Sequence, residues 1–275
     1  MGKLVLNGKT FVVSGASSGL GRLLSEKLVQ SGCKVVGIGR SKEKFNALKS
    51  YLGEKSDMFE AVIFDVTEEG EWKKLAADLS DKYAAIDGLI NCAGIFPPFK
   101  KAVDFTSADV SDVMKTNFFA AVYGIENLLP LLKKSEQPTI VNVSSAAALS
   151  SIAGTAGYSA SKSALKAYTE ILGEELRGKF YVGLVMPGFA RTDILRLQNT
   201  SFDDNKLIKK MSMPAEKMAG KIFKGIVKKK RRMIFGFDAK LLDFSYKLMP
   251  KTSVRLISKV LKKSKLKLFD DVFKE

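Results

Sequence analysis

Three side chains in the middle of the chain have the chemistry for proton transfer to an oxygen atom. Tyr158 and Lys162 are four residues apart, and Ser145 lies thirteen residues before the tyrosine. Residues four apart share one face of a helix, so the phenol and the ammonium group would project into the same space. The ordinary pKa of tyrosine is about 10, and a fixed positive charge nearby stabilises the phenolate. This spacing indicates a tyrosine that acts as acid or base, with Ser145 holding the oxygen that exchanges the proton.

A glycine-rich turn near the start of the chain has the composition of an anion-binding loop. The apolar run Thr10–Ser14 predicts a buried parallel strand, and an amphipathic helix is predicted from about Leu20 to Ser31. Glycines in the spacing Gly-x-x-x-Gly-x-Gly allow a tight turn and a close approach to a pyrophosphate, which the helix N-terminus would bind. This spacing differs from the Gly-x-Gly-x-x-Gly dinucleotide fingerprint. The residues of the turn are Gly15, Ala16, Ser17, Ser18, Gly19, Leu20 and Gly21.

With these two motifs, the sequence resembles the short-chain dehydrogenase/reductase family, in the branch with Tyr-x-x-x-Lys, over about residues 7–236. Further family motifs occur in the family's order. They are Asp65-Val66 after the third strand, Asn91-Cys92-Ala93-Gly94 after the fourth, Asn117 in a helix, and Pro187-Gly188 with Thr192 after the sixth. The chain departs from the family pattern at Ser14, where Thr is usual, and at Cys92, where a second Asn is usual.

The resemblance implies hydride transfer between C4 of a nicotinamide and a carbonyl carbon, with Tyr158 giving or taking the proton. Lys162 would lower the pKa of Tyr158 and hold the nicotinamide ribose. Asn117 would interrupt its helix and hold a water that links Lys162 to solvent. Asp65 would meet the adenine amino group, and Thr192 would help to fix the carboxamide. The implied catalytic residues are Asn117, Ser145, Tyr158 and Lys162. The implied cofactor-binding residues are Gly15, Ser17, Ser18, Gly19, Leu20, Gly21, Asp65, Val66, Asn91, Ala93, Gly94, Tyr158, Lys162, Pro187, Gly188 and Thr192.

Strand and helix patterns alternate along the chain, which predicts the α/β class. We expect a Rossmann-type, doubly wound parallel sheet of about seven strands in the order 3-2-1-4-5-6-7, with helices on both faces. The longest helices are predicted over about Asp109–Lys133 and Ala156–Arg177. Residues 1–238 would form the catalytic domain, and residues 239–275 a basic, helical C-terminal extension. The predicted strands are Thr10–Ser14, Lys34–Gly39, Met58–Phe64, Gly88–Cys92, Thr139–Ser144, Tyr181–Met186 and Met233–Gly236.

The amino-acid composition excludes several kinds of active site. The 275 residues include no histidine, which excludes a histidine base and a histidine-ligated metal site. Cys33 and Cys92 cannot form a zinc site by themselves, so we expect no metal and two reduced thiols, as is typical of a cytoplasmic protein. No apolar run is long enough to span a bilayer, and the first residues do not resemble a signal peptide.

The end of the second predicted strand favours NADP(H) over NAD(H). An acidic residue there would hold a ribose 2′-hydroxyl, but this chain has Gly39 followed by Arg40. A guanidinium suits a 2′-phosphate and can stack on adenine, and Ser41 and Lys42 would add contacts. The alternative is that Arg40 is a solvated charge at the start of a helix.

Positive charge is concentrated at the C-terminal end of the chain. Residues 1–205 have 24 Lys and Arg against 23 Asp and Glu, a net charge of +1, while residues 206–275 have 21 against 6, a net charge of +15. Between Ser253 and Leu268, four apolar residues fall on one predicted helical face, so this helix could lie on an anionic membrane surface. It could also pack on the catalytic domain or on a second subunit. Nucleic-acid binding is not expected, because no aromatic residues lie among the lysines. The apolar residues of this face are Val254, Ile257, Leu261 and Leu268.

These observations predict an NADP(H)-dependent enzyme that interconverts a carbonyl and a secondary alcohol on a hydrophobic, lipid- or steroid-like small molecule. The alternative is a non-catalytic NADP(H)-binding or membrane-surface regulatory protein on the same fold. The family resemblance suggests a homodimer or homotetramer formed through the long helices that carry Asn117 and Tyr158. The segment Asp193–Met213 is predicted to form a substrate lid. The apolar residues that would line or anchor this lid are Ile194, Leu195, Leu197, Phe202 and Leu207.

Overall fold

The computed structural model describes residues 2–191, 212–263 and 269–273. In this part of the chain a parallel sheet of seven strands has the order β3-β2-β1-β4-β5-β6-β7. The Rossmann-type fold and the predicted strand order are therefore confirmed. The strands are β1 Thr10–Ser14, β2 Lys34–Gly39, β3 Phe59–Ile63, β4 Gly88–Asn91, β5 Thr139–Val143, β6 Tyr181–Pro187 and β7 Arg232–Phe235.

Helices cover both faces of the sheet, and each face has its own apolar core. Along β1, Val12 packs into one core and Val13 into the other, because successive side chains of a strand point to opposite faces. Both valines are fully buried, which explains why this strand is an uninterrupted apolar run. The helices are α1 Gly19–Gln30, α2 Lys42–Leu52, α3 Glu69–Lys82, α4 Ser107–Met114, α5 Ala120–Leu132, α6 Ala156–Glu175, α7 Ala215–Val227, α8 Phe237–Leu248, α9 Ser253–Lys263 and α10 Asp270–Phe273.

The long helix predicted over Asp109–Lys133 is interrupted in its middle. It begins at Ser107, because Thr106 and Asp109 form a reciprocal capping box, and the α-helical pattern stops at Met114. One π-helical turn, Lys115–Phe119, then leads into α5. Turns of this kind are frequent at functional sites, and this one contains Asn117.

After β7 the chain continues as helices, which lie at the edge of the sheet formed by the carboxyl ends of the strands. Ala239 of α8 is fully buried against residues of β6 and of the loop after β5, so this helix packs on the sheet domain. Helix α9 contacts α8, and α10 packs near the end of β4. No helix in residues 2–191, 212–263 or 269–273 is long and apolar enough to cross a membrane.

Candidate active site

Tyr158 and Lys162 lie in the first two turns of α6, and both side chains are buried. The Lys162 Nζ lies 6.0 Å from the centroid of the Tyr158 ring and donates a hydrogen bond of 3.0 Å to the carbonyl oxygen of Val143. Burial lowers the pKa of Lys162 to about 8, since the charged amine has lost solvent. The predicted side-by-side arrangement of phenol and amine is therefore present.

Ser145 lies two residues after the end of β5 and connects this strand to Tyr158. Its Oγ accepts a hydrogen bond of 3.2 Å from the backbone N–H of Ala147, and the Ser145 side chain hydrogen-bonds with Tyr158. Burial raises the pKa of Tyr158, and the hydrogen bond from Ser145 opposes this rise. The expected lowering of this pKa by Lys162 is not seen in the structure, where burial has the largest effect on the phenol.

Asn117 is buried behind the reacting groups, in the π turn. Its Oδ1 accepts a hydrogen bond of 2.8 Å from the N–H of Ile95, and its Nδ2 donates to the Ile95 carbonyl and to Ser161 Oγ, each at 3.0 Å. A Cβ added to Gly94 would lie 3.1 Å from Asn117 Oδ1 and 3.3 Å from Lys162 Nζ. Asn117 therefore fixes the loop after β4 to α6, and only glycine fits comfortably between its amide and the amine.

The glycine-rich turn between β1 and α1 lies against the loop that follows β4. Gly15 has φ +71°, and a Cβ at this position would lie 2.8 Å from the Cα of Ala93. A Cβ on Gly21 would lie 2.2 Å from the Gly15 carbonyl oxygen. Ser14 Oγ accepts hydrogen bonds from the N–H groups of Cys92 at 3.1 Å and Ala93 at 3.3 Å. Ser14, which stands where Thr is usual, thus links the two loops through its hydroxyl. The turn presents backbone without side chains next to the N-terminus of α1.

A single cavity of about 410 Å³ joins this turn to the Tyr158 side chain. Asp65, Val66, Ser17, Asn91 and Asn117 were also predicted to be site residues but do not line the cavity, and Thr192 lies outside the described residues. The predicted residues that do line it are Gly15, Ser18, Gly19, Leu20, Gly21, Arg40, Ala93, Gly94, Ser145, Tyr158, Lys162, Pro187 and Gly188.

Two of the predicted residues outside the cavity lining have structural partners. Asn91 is buried in the sheet, where its Nδ2 donates a 2.8 Å hydrogen bond to Asn142 Oδ1. The carbonyl oxygen of Val66 accepts a hydrogen bond of 3.0 Å from the indole of Trp72. These contacts support the strands and the loop after β3 and explain why both positions lie behind the cavity wall.

Asp65 is paired with Arg40 at the edge of the cavity. The Arg40 guanidinium lies 3.3 Å from Asp65 Oδ2, and Thr67 donates to Asp65 Oδ1 through both its N–H and its hydroxyl. Burial alone would raise the pKa of Asp65, but the hydrogen bonds from Thr67 and the charge of Arg40 hold it below its usual value. Two groups predicted to contact the adenosine half of the cofactor are therefore next to each other.

The short-chain dehydrogenase family model matches residues 9–202, more than half of the chain. The chain belongs to the short-chain dehydrogenase family. It is 32% identical over 185 residues to a serine 3-dehydrogenase of Agrobacterium fabrum, which covers 67% of this chain and 73% of that protein. It is 29% identical over 191 residues to an NADPH-dependent pterin aldehyde reductase of Arabidopsis thaliana, which covers 70% and 78%. A short-chain dehydrogenase from Escherichia coli CFT073, solved in complex with NADPH, has the same fold, with a TM-score of 0.74, 24% identity and coverage of 84% and 97%.

The cavity of this short-chain dehydrogenase fits the nicotinamide dinucleotide that the family binds. A pyrophosphate needs backbone N–H groups at close range, and the contacts around Gly15 and Gly21 leave no room for a side chain there. The cavity lining includes residues predicted for both ends of such a cofactor, Arg40 after β2 and Lys162 in α6.

Sequence reasoning missed Asp238, a charged residue that lines the cavity of this dehydrogenase. Its Oδ2 accepts a hydrogen bond of 2.6 Å from the N–H of Phe189, while its buried Oδ1 has no partner among the described residues. Burial raises the pKa of Asp238, and hydrogen bonds from the backbone of Phe189 and Ala239 oppose the rise. A Cβ on Gly188 would lie 2.1 Å from Asp238 Oδ1. The available signal was an acidic residue two positions after the last predicted strand, Met233–Gly236.

Lys44 and two phenylalanines were also missed. Lys44 lines the cavity, whereas the predicted Lys42, the first residue of α2, does not. Phe96 and Phe99 line the cavity from the loop after β4, and the Phe96 ring centroid lies 4.4 Å from that of Tyr158. The residues predicted for the substrate lid, Ile194, Leu195, Leu197, Phe202 and Leu207, lie outside the described residues.

Both cysteines are free, and burial raises the pKa of each thiol to about 12. Cys33 donates a hydrogen bond of 3.1 Å to the Leu6 carbonyl oxygen. Cys92 lines the cavity near Lys162, whose charge partly opposes the rise in its pKa.

In the part of the chain that the structure describes, no group of three or more Cys, Asp or Glu side chains is arranged to hold a metal ion.

Proposed function

We propose that this protein is an NADP(H)-dependent oxidoreductase that interconverts a carbonyl and a secondary alcohol on a hydrophobic substrate. The observation that carries the proposal is that Ser145, Tyr158 and Lys162 line the same cavity as the glycine-rich turn. Bound NADPH would supply the hydride. Ser145 holds the substrate oxygen, and Tyr158 transfers a proton to or from it. Lys162 holds the nicotinamide ribose, and its charge offsets part of the cost of burying the phenolate. Asn117 holds the loop after β4 against α6.

The test is NADPH oxidation by the purified protein, followed by absorbance, with a panel of ketones, keto-lipids and quinones. Turnover that depends on both NADPH and a carbonyl compound supports the proposal. The alternative is a regulatory protein that binds NADP(H) without turning it over. Tight NADPH binding without oxidation of any member of the panel would favour that alternative.

NADP(H) is proposed over NAD(H) because two cations border the adenosine end of the cavity. Arg40 and Lys44 both line it, and β2 ends at Gly39, where an acidic residue would repel a 2′-phosphate. Arg40 is largely exposed, so its pairing with Asp65 leaves donors free for a phosphate. The relative named as an NADPH-dependent reductase supports the same preference.

Arg40→Ala is expected to shift the NADP/NAD preference toward NAD(H) by about 10- to 100-fold. A charge-assisted contact to the 2′-phosphate is worth about 1.5–3 kcal/mol, and only NADP(H) carries that phosphate. Equilibrium binding of NADPH and NADH, followed by nicotinamide fluorescence, measures the ratio. Lys49→Ala removes an exposed charge further along α2 and is the matched control. An unchanged ratio in Arg40→Ala would show that the guanidinium does not contribute to the choice of cofactor.

A hydrophobic substrate is proposed from the residues around Tyr158. Phe96, Phe99, Ile152 and Phe189 line the cavity on this side, and Leu242 of α8 contributes to the same lining. Pockets of this kind bind ligands through apolar contact and use a few polar groups for orientation. Here Ser145 and Tyr158 supply the orientation, so a ketone with an apolar body fits best.

The C-terminal extension is proposed to bind an anionic membrane surface without spanning it. Four apolar side chains of α8, spaced at i, i+4, i+7 and i+11, form an exposed stripe, and Phe237 is 76% and Phe244 62% exposed. On α9, Leu256 and Val260 are exposed, whereas Leu261 packs inward against the aromatic side chains near Tyr158. The predicted face of α9 is thus partly used for packing, and the α8 stripe is the better lipid contact. The stripe consists of Phe237, Leu241, Phe244 and Leu248.

The full-length protein is expected to co-sediment with phosphatidylserine vesicles at low salt and to dissociate as salt rises. Each Lys or Arg near an anionic surface contributes about 1 kcal/mol, and salt screens this attraction. Replacing both Leu241 and Phe244 by Ser should weaken binding, while Tyr51→Ser, which alters an exposed ring on α2, should not. Failure of the wild-type protein to bind acidic vesicles at low salt would contradict this part of the proposal.

The remaining proposals concern assembly and place in the cell. We propose a cytoplasmic protein, peripheral at membranes, whose residues 1–238 form the catalytic unit and whose residues 239–275 form the extension. A homodimer or homotetramer through α5 and α6 is supported by exposed apolar side chains there, Ile171 on α6 and Phe119 just before α5. Nucleic acid is not proposed as a partner.

A further inference from the structure

Five aromatic rings form a continuous row that starts at the reacting tyrosine. The centroids are 4.4 Å apart between Tyr158 and Phe96, 5.1 Å between Phe96 and Phe99, and 4.7 Å between Phe99 and Phe269. Phe273 continues the row at 6.2 Å from Phe269. The tilted and edge-on geometries of these pairs are those that aromatic rings prefer. We call this set the aromatic row.

The aromatic row consists of two parts that are far apart in sequence. Phe96 and Phe99 line the cavity from a loop after β4, residues 95–101, that has no helix or strand of its own. Phe269 and Phe273 belong to the C-terminal segment 269–273. Phe99 and Phe269 are both almost completely buried, at 3% and 4% exposure. Phe269 therefore backs the wall of the cavity at Phe99.

A second contact joins the same C-terminal segment to the loop before α6. A Cβ added to Gly154 would lie 2.6 Å from Val272 Cγ2 and 3.1 Å from the Phe99 ring. Gly154 has φ +87°, and its carbonyl oxygen accepts a hydrogen bond of 3.3 Å from the N–H of Lys100. Segment 269–273 thus packs on both loops that border Tyr158.

We propose that Phe269 is a positioning residue that determines substrate specificity. It holds Phe99, and through it Phe96, against Tyr158, so that the cavity has a rigid aromatic wall beside the reacting oxygen. This wall suits a carbonyl compound with a flat apolar group next to the carbonyl, which stacks on the phenylalanines. The inference rests on the proposed function. It assigns a role in specificity to a residue that does not line the cavity but supports a side chain that does.

The prediction is that Phe269→Ala raises KM for acetophenone, an aryl ketone, by about tenfold. KM for butanone, the Kd of NADPH and the pH dependence of kcat should stay close to wild type, because the reacting groups are unchanged. Phe269→Leu keeps most of the apolar volume and should restore the acetophenone KM at least in part. Tyr51→Ala, which removes an exposed ring from α2, is the control. An equal loss with both ketones, or no change with either, would overturn the proposal.

Hydrogen exchange of the cofactor-free protein gives a measurement that does not depend on turnover. Amides in loop 95–101 should exchange faster in Phe269→Ala than in the wild type, while amides of β1 should not change. Unchanged exchange in loop 95–101 would also overturn the proposal. If the wild-type protein reduces neither ketone, the proposed function is in question, and faster exchange in the variant still supports the positioning role of Phe269.

Discussion

Tyr158→Phe is expected to lower kcat by about 10²–10⁴-fold, to the limit of detection, while NADPH binding stays nearly intact. A positioned acid or base contributes a factor of this size to the rate, and only the hydroxyl can exchange a proton. The ring should keep its packing on Phe96, at 4.4 Å between centroids, so the fold is preserved. Steady-state rates with a ketone from the panel, together with NADPH binding by fluorescence, measure the two effects separately.

Tyr168→Phe is the matched control for this experiment. Tyr168 lies on the same helix, is partly buried and packs edge-on against Phe118 at 5.9 Å between ring centroids. The loss of its hydroxyl should leave kcat unchanged. If Tyr158→Phe retained wild-type turnover, the proton-transfer role of the phenol would have to be abandoned.

Lys162→Met is expected to damage both the rate and the affinity for NADPH. The amine lies near the Tyr158 ring and is proposed to serve two partners, the phenol and the nicotinamide ribose. The loss in kcat/KM should therefore be larger than the loss in either constant alone, at about 10²-fold or more. Lys166→Met removes an amine one turn further along α6, where it pairs with Glu170 at 2.9 Å, and is the control. A variant with altered stability but normal kinetics would make Lys162 a structural residue.

The pH dependence of stability provides a separate test of the lowered pKa of Lys162. Its pKa in the folded protein is lowered to about 8, whereas the ordinary value is 10.5. Between these two pH values the unfolded chain binds a proton that the folded protein lacks, so the contribution of Lys162 to stability rises with pH. The stability of the wild-type protein relative to Lys162→Met should therefore increase between pH 8 and 10.5. Denaturant unfolding without cofactor measures this difference, and a flat or falling difference would contradict the lowered pKa.

The sequence was sufficient to predict the parts of the molecule that follow from local pattern. The run Thr10–Ser14 predicted a strand buried on both faces, and Val12 and Val13 are fully buried in opposite cores. The spacing of Tyr158 and Lys162 predicted one helical face, which is what α6 presents. The interruption at Asn117 was also predicted, though only from the family resemblance, since no composition rule places a π turn there.

The parts that were not predicted depend on contacts between distant segments. Phe269 is 111 residues from Tyr158 in sequence, and nothing in its local pattern indicates that it backs the cavity. Asp238 likewise reaches the cavity only because α8 starts next to Gly188. The pKa of Tyr158 was predicted from the charge of Lys162 alone, but burial is a property of the whole fold and has the opposite effect.

Burial changes the ordinary reactivities of two nucleophiles in the cavity, Cys92 and Lys162, in opposite directions. Burial keeps Cys92, with a pKa of about 12, as an unreactive thiol at neutral pH, and the same burial leaves Lys162, with a pKa of about 8, partly as a free amine. At neutral pH an amine-selective electrophile in the cavity should therefore react with Lys162 more readily than a thiol-selective one reacts with Cys92. The Cys92 thiol should also react slowly with peroxide, since a protonated thiol is a poor target for oxidation.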